Sequence, residues 1–293
     1  MNSNKHIGLF LACEGLGDTL YCIPVIKRLR ELSAPGTLYD VITYHPNLFH
    51  NCPYINQAFQ KSDETFKQYQ HTIQQMFDPK ALPFQLMETI DFISIPLGIG
   101  QLSFRQKQLE YFPIEENKAD RFDIVINTSM TWPSRSWPHD NWQSLANNFL
   151  ERGYSVAVVG KDFYSQAEKA WKRSTGLAGC TDLTNRLSLD QTYFTIKKCG
   201  LFISCQNGLS VLSGATNAEI IVLDQPIEWS KRAIYRNEDP HYKVTYVKGN
   251  CDRYCCISFD CPLENAADKM KCIPDFNRVL QVALEKAPVK NQH

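Results

Sequence analysis

The chain has 293 residues, enough for about two domains of ordinary size. Its hydrophobic content of 43% and aromatic content of 12% supply material for well-filled cores. A formal net charge of zero argues against a general nucleic-acid binder, which carries a basic excess, but leaves room for a local phosphate pocket.

The first apolar run, "HIGLFLA" at 6–12, is continuous rather than alternating, and so predicts a strand buried on both faces. It is short, and Glu14 follows it without a small-residue cleavage pattern, so no secretory signal is expected. No apolar run approaches the roughly 20 residues that cross a bilayer, and a soluble, cytoplasmic protein is the expectation. From Asp18 onward, Leu20, Ile23, Ile26, Leu29 and Leu32 recur at helical spacing. Residues 37–44 read as a second strand and 55–59 as a weaker third. The polar stretch 64–77 predicts a partly exposed helix, and 91–98 a strand or loop.

The charged stretch 115–120 reads as a linker. Beyond it, strands are expected at 122–128, 154–160, 201–206 and 219–225. Helices are expected at 138–153, 165–174, 189–198 and 209–216. The first of these has Pro138 near its start, Asp140 in its first turn and Gly153 at its end; Ser188 caps the third. Alternation of strand and helix in both halves predicts an α/β protein of two parallel-sheet, Rossmann-like domains facing a central cleft. The boundaries are 1–118 for an acceptor-side domain and 119–293 for a donor domain with a cysteine-rich segment at 251–272. In open α/β sheets ligands lie beyond the carboxyl ends of the strands, so the loops there hold the candidates.

Three stretches qualify. Gly15-Leu16-Gly17-Asp18 follows the first strand and opens a helix, a place for a phosphate-binding turn. The third glycine of the dinucleotide fingerprint is replaced by Leu20, which speaks against a nicotinamide or flavin enzyme. Asp18 is read from this stretch alone as a helix cap or as a base, with the cap the default. "TSMTWPSRSWPHDNW" at 128–142 places Arg135, a planar fork of donors suited to phosphate oxygens, beside the hydroxyls of Thr128, Ser129 and Thr131. Trp137 and Trp142 are expected to pack on their own helix. Gln206-Asn207-Gly208 again stands at a strand end, where the backbone N–H groups of Gly208, Leu209 and Ser210 suit a diphosphate.

In this order the three stretches resemble the heptosyltransferases, family nine of the inverting glycosyltransferases, most clearly from 122 to 225. The resemblance implies the GT-B architecture. It implies that Asp18, in Gly17-Asp18 with Pro24 in the following helix, is the catalytic base. It implies that Arg135, before Trp137-Pro138, contacts the donor phosphates where members usually carry lysine, and that Asp182-Leu183-Thr184…Ser188-Leu189 lies near the donor nucleoside. The donor loop departs from the family's Asp-Thr/Ser-Gly-x-x-His pattern, since Gln206 and Val211 replace the acid and the histidine. The implied activity is direct displacement from a nucleotide-diphospho-sugar, by resemblance an ADP-heptose, onto a lipopolysaccharide-core, glycan, lipid-linked or protein acceptor, with no catalytic metal. The alternative is a catalytically degenerate nucleotide-sugar-binding or assembly module of the same fold. No nucleic-acid partner is expected; peripheral association with the inner membrane and oligomer formation are compatible with the reading.

Five of the eleven cysteines, Cys251, Cys255, Cys256, Cys261 and Cys272, crowd one loop-rich segment. Four thiolates there suit a structural zinc or iron, although the spacing is not the paired C-x-x-C kind; reduced thiols in a packed hairpin are the alternative. The segment resembles that of the autotransporter heptosyltransferases, which implies iron. The remaining cysteines read as buried free thiols.

Overall fold

The computed structural model describes residues 6–61, 69, 71–75, 87–114, 120–129, 132–165, 169–239, 241–252, 256, 258, 261–263 and 270–290. The chain forms two units, Met1–Ile114 with Ala233–Pro240, and Glu115–Arg232 with His241–His293. The donor domain expected over 119–293 therefore does not include residues 233–240, which pack with the first unit. Long-range bonds hold them there. Tyr21 donates to the Ala233 carbonyl at 3.2 Å, and the Leu109 amide donates to the Tyr235 carbonyl at 3.0 Å. The Tyr235 hydroxyl donates to Glu88 at 2.5 Å, while buried Lys107 pairs with Asp91 at 2.6 Å and also with Glu88. No local pattern in a sequence announces contacts of that separation.

The first unit holds β1 (His6–Leu11), α1 (Leu16–Leu32), β2 (Leu38–Thr43), β3 (Gln57–Gln60), β4 (His71–Gln75) and α2 (Thr89–Ser94). Its sheet is parallel in the order β3-β2-β1-β4. β4 lies within the polar stretch expected to be helical; its residues pair with β1 from Ile7↔His71 to Leu11↔Gln75, a non-local ladder that overrides the local pattern. Residues 64–68, 70 and 76–77 of that stretch lie outside the described residues. Where a strand or loop was expected at 91–98, α2 takes 91–94, because Ile90 and Ile93 fall on one buried face at helical spacing, and 95–98 is turn.

The second unit holds β5 (Ile124–Asn127), α3 (His139–Glu151), β6 (Val156–Val159), β7 (Phe163–Ser165), β8 (Ala170–Lys172), β9 (Thr181–Asp182), α4 (Leu189–Lys198), β10 (Leu201–Cys205), α5 (Gly208–Ser213), β11 (Glu219–Asp224), β12 (Val244–Lys248) and α6 (Phe276–Lys286). Within the helix expected over 165–174, residues 166–168 lie outside the described residues, and 165 and 170–172 join the antiparallel pair of β7 and β8, where Tyr164 meets Trp171 edge-on and Arg173 lies over the Trp171 ring. Cross-strand aromatic pairing favours that outcome. The main sheet is parallel in the order β12-β11-β10-β5-β6-β9. Leaving the hairpin aside, this is the doubly wound order 3-2-1-4-5-6, whose switch point lies between β5 and β10. In the first unit the corresponding reversal lies between β1 and β4. Ile124, Leu145, Phe149, Val158, Ile203 and Ile221 form the centre of one buried apolar cluster, which Trp137, Trp142 and the α6 residues Val279 and Ala283 complete. Trp137 and Trp142 pack as expected. Among the described residues no helix is long and apolar enough to cross a membrane.

Candidate active site

In the first unit the loop after β1 reaches the switch point with Glu14, Gly15, Leu16 and Gly17. Gly15, in an extended conformation (φ −75°, ψ 132°), is the N-cap of α1 and makes no side-chain cap bond. Asp18 is therefore not the cap; it is the third helical residue, in the first turn, where the N-terminal end of the helix dipole favours a carboxylate. Its carboxyl folds back over Gly15, so that a Cβ at position 15 would stand 2.6 Å from Asp18 Oδ2. A side chain at 15 would have to push the Asp18 carboxyl out of this position. Gly17 is buried within the same turn.

Two residues at these strand ends escaped the sequence reading. His45, just beyond β2, places Nε2 2.7 Å from the Glu14 carbonyl. A carbonyl only accepts, so Nε2 carries the proton in the neutral ring. Burial lowers the His45 pKa below its ordinary value, against the opposing pull of the Glu14 carbonyl and of the Glu14 and Asp18 charges. Lys61, just beyond β3, donates to the Tyr44 hydroxyl at 2.6 Å and lies over the Phe10 and Tyr44 rings. The signal for both was positional: each follows a predicted strand.

In the second unit the loops after β5, β10 and β11 meet. Arg135 is 8% exposed, lies over the Trp132 ring at 5.3 Å and donates through Nη2 to the Gln206 carbonyl. Gln206 Nε2 donates to Asp224 at 2.5 Å and to the Ile227 carbonyl at 2.8 Å. Asn207 caps α5: its Oδ1 accepts the amides of Leu209 (3.0 Å) and Ser210 (3.3 Å), and its Nδ2 donates to Asn127 at 2.6 Å. The diphosphate role expected of the Gly208, Leu209 and Ser210 amides therefore has a competitor in this cap. A side chain already takes two of them, and α5 is only six residues long. Gly208 begins that helix. The hydroxyls of Thr128 and Ser129 are likewise engaged, with the Thr175 carbonyl at 2.6 Å and Ser174 at 2.7 Å. Asp182 closes a turn on Thr184, accepting its hydroxyl at 2.6 Å and its amide at 2.9 Å. Those bonds hold its carboxyl below the usual range. Thr131 lies outside the described residues. The structure thus brings Arg135, Gln206, Asn207, Gly208, Leu209 and Ser210 to one switch point.

The cysteine-rich segment touches this loop, for the Ser134 hydroxyl donates to the Ser258 carbonyl at 2.6 Å. The Cys272 thiol is pushed up to about 11, first by burial and then by the charges of Cys251, Cys256 and Cys261. Cys255 lies outside the described residues, and among the described residues no three His, Cys, Asp or Glu side chains converge at metal-holding distance. All cysteines among the described residues are free thiols. Burial pushes Cys199 and Cys205 up to about 12, as expected of inert core thiols.

Residues 68–249, more than half of the chain, match the model of Glycosyltransferase family 9 (heptosyltransferase). The chain belongs to this family. Lipopolysaccharide heptosyltransferase 2 of Escherichia coli (strain K12) is 29% identical over 97 residues, 32% of this chain and 28% of that protein. The match thus spans little more than a quarter of its curated relative. The dodecameric iron-containing heptosyltransferase TibC, solved in complex with ADP-D-beta-D-heptose, has a TM-score of 0.68 at 16% identity, over 97% of this chain and 76% of that one. E. coli ADP-heptose lps heptosyltransferase II has a TM-score of 0.62 at 13% identity, over 96% and 98%. At these identities the likeness shows the fold, which is of the GT-B class. For a family 9 chain the residues at the two switch points, Asp18 in one unit and Arg135 with Gln206 in the other, are the natural candidates for chemistry.

Proposed function

We propose that the chain is an inverting glycosyltransferase that moves a heptose from ADP-heptose to a hydroxyl of a lipopolysaccharide-type acceptor. One observation carries the reading: each parallel sheet presents, at its own switch point, the residue type the reaction needs, a helix-start carboxylate in the first unit and a buried guanidinium in the second. The likeness to a heptosyltransferase solved with ADP-D-beta-D-heptose supports the donor, and the curated relative supports the acceptor class. The comparisons give the catalytically degenerate reading no support.

Asp18 takes the proton of the acceptor hydroxyl as its oxygen attacks the anomeric carbon. The bond from that carbon to the diphosphate breaks on the opposite face, so configuration inverts and ADP leaves. Arg135 offers its fork to the diphosphate as negative charge grows on the leaving oxygen, so in this mechanism a fixed guanidinium carries that charge without a catalytic metal. Such an acceptor suits a cytoplasmic protein working at the inner membrane, and the dodecameric relative supports an oligomer. The test is transfer from ADP-heptose followed by NMR of the product. The expected product has the anomeric configuration opposite to the donor's; retention, or no transfer to any lipopolysaccharide-core acceptor, contradicts the proposal.

A structural iron or zinc in the cysteine-rich segment belongs to the same proposal. The charges of Cys251, Cys256 and Cys261 add to burial in raising the Cys272 pKa, a cost that a bound cation relieves, and the segment braces the loop carrying Arg135. Elemental analysis of protein purified without a metal-affinity step should find stoichiometric metal; substoichiometric metal in reduced protein contradicts it.

A further inference from the structure

Gln206 is the joint of the second unit's switch point. Its carbonyl accepts from Arg135, and its side chain donates to Asp224 Oδ1 and to the Ile227 carbonyl. Asp224 Oδ2 in turn accepts the Trp229 amide at 3.2 Å. Both joint residues are buried, Gln206 at 3% exposure and Asp224 at 0%. A carboxylate is retained in such surroundings only where hydrogen bonds and charge partners compensate its desolvation. The donors run one way, from the guanidinium to the Gln206 carbonyl and from the Gln206 amide to the carboxylate. The two bonds are joined only through the covalent frame of Gln206, so fixing its side chain restricts where its carbonyl can lie.

We infer that Asp224 is a positioning residue for the donor diphosphate, acting through Gln206 and Arg135 without touching the ligand. The inference rests on the donor role proposed for Arg135. Asp224 anchors the Gln206 side chain, the anchored Gln206 fixes its own carbonyl, and that carbonyl aims the guanidinium. The intervening carboxamide also keeps the Asp224 charge from meeting the diphosphate directly. Asp224→Asn preserves size but turns an N–H toward either the Gln206 amide or the Trp229 amide, so one bond of the joint is lost whichever way the group faces.

A residue that merely steadied the end of β11 would weaken the site by the same factor whether or not Arg135 is present. The deciding experiment is therefore a double-mutant cycle on the full chain, with ADP as the probe and calorimetry as the readout. Asp224→Asn is expected to raise the ADP Kd about tenfold in the wild-type background and less than about twofold in Arg135→Met. Equal factors in the two backgrounds, or no change in the first, overturn the inference. If Asp224→Asn does not fold, as judged by circular dichroism, Gln206→Met cuts the same joint and takes its place in the cycle, with the same two outcomes. A wild-type chain that binds no ADP contradicts the donor reading itself, which separates that failure from a failure of Asp224.

Discussion

Gly15 and Asp18 are coupled by volume. Because a Cβ at 15 would approach the Asp18 carboxyl to 2.6 Å, Gly15→Ala must push that carboxyl aside. A displacement of that size at a reacting group costs on the order of 100-fold in rate. Transfer by Gly15→Ala should fall by about that factor while ADP binding, which the proposal places in the other unit, stays within about twofold, measured by initial rates and calorimetry. His45 makes a pH-dependent contribution beside it. Its pKa is lowered in the fold, so below the unfolded value of 6.5 the unfolded chain takes up the proton first. The stabilisation is complete above pH 6.5 and drains away as pH falls through the folded value. In melts between pH 7.5 and 5 the wild type should lose stability more steeply than His45→Gln, whose amide can still donate to the Glu14 carbonyl. Parallel curves contradict this. At this scale the places of Asp18, Arg135 and Gln206 after strands were legible in the sequence. It did not reveal that Asn207 already holds the Leu209 and Ser210 amides, because a cap and an open anion site have the same residues and differ only in where one side chain turns.

Among the elements, α4 was legible because its determinants are local. Ser188 accepts the Gln191 amide at 3.2 Å while the Gln191 side chain returns to the Ser188 amide at 2.8 Å, a reciprocal capping box. Ser188→Ala should lower stability by about 1 kcal/mol, read from chemical denaturation; a change within error contradicts that weight for the cap. β4 and the hairpin of β7 and β8 were not legible. β4 is polar and is made a strand by pairing with β1, more than sixty positions away. The hairpin is stabilised by contacts across its strands, such as Tyr164 on Trp171, that periodicity within one segment does not register. α6 went unread behind the cysteine-rich segment, although Asp275 caps it through the amides of Asn277 and Arg278 and it buries Val279 and Ala283.

For the whole molecule, the alternation of strands and helices was enough to expect two parallel sheets, and each sheet has its reversal of strand order beside a candidate loop. The return of residues 233–240 to the first unit was hidden, since it depends on the network of buried Lys107, Asp91 and Tyr235 with part-exposed Glu88 rather than on any pattern along the chain. The proposed reaction takes the proton in one unit and holds the leaving diphosphate in the other. The measurement that tests this division most directly is donor binding and transfer by Asp18→Asn, side by side with the wild type. The account predicts transfer reduced at least about 1,000-fold with the ADP Kd unchanged within about twofold. Transfer at the wild-type rate would remove Asp18 from the chemistry.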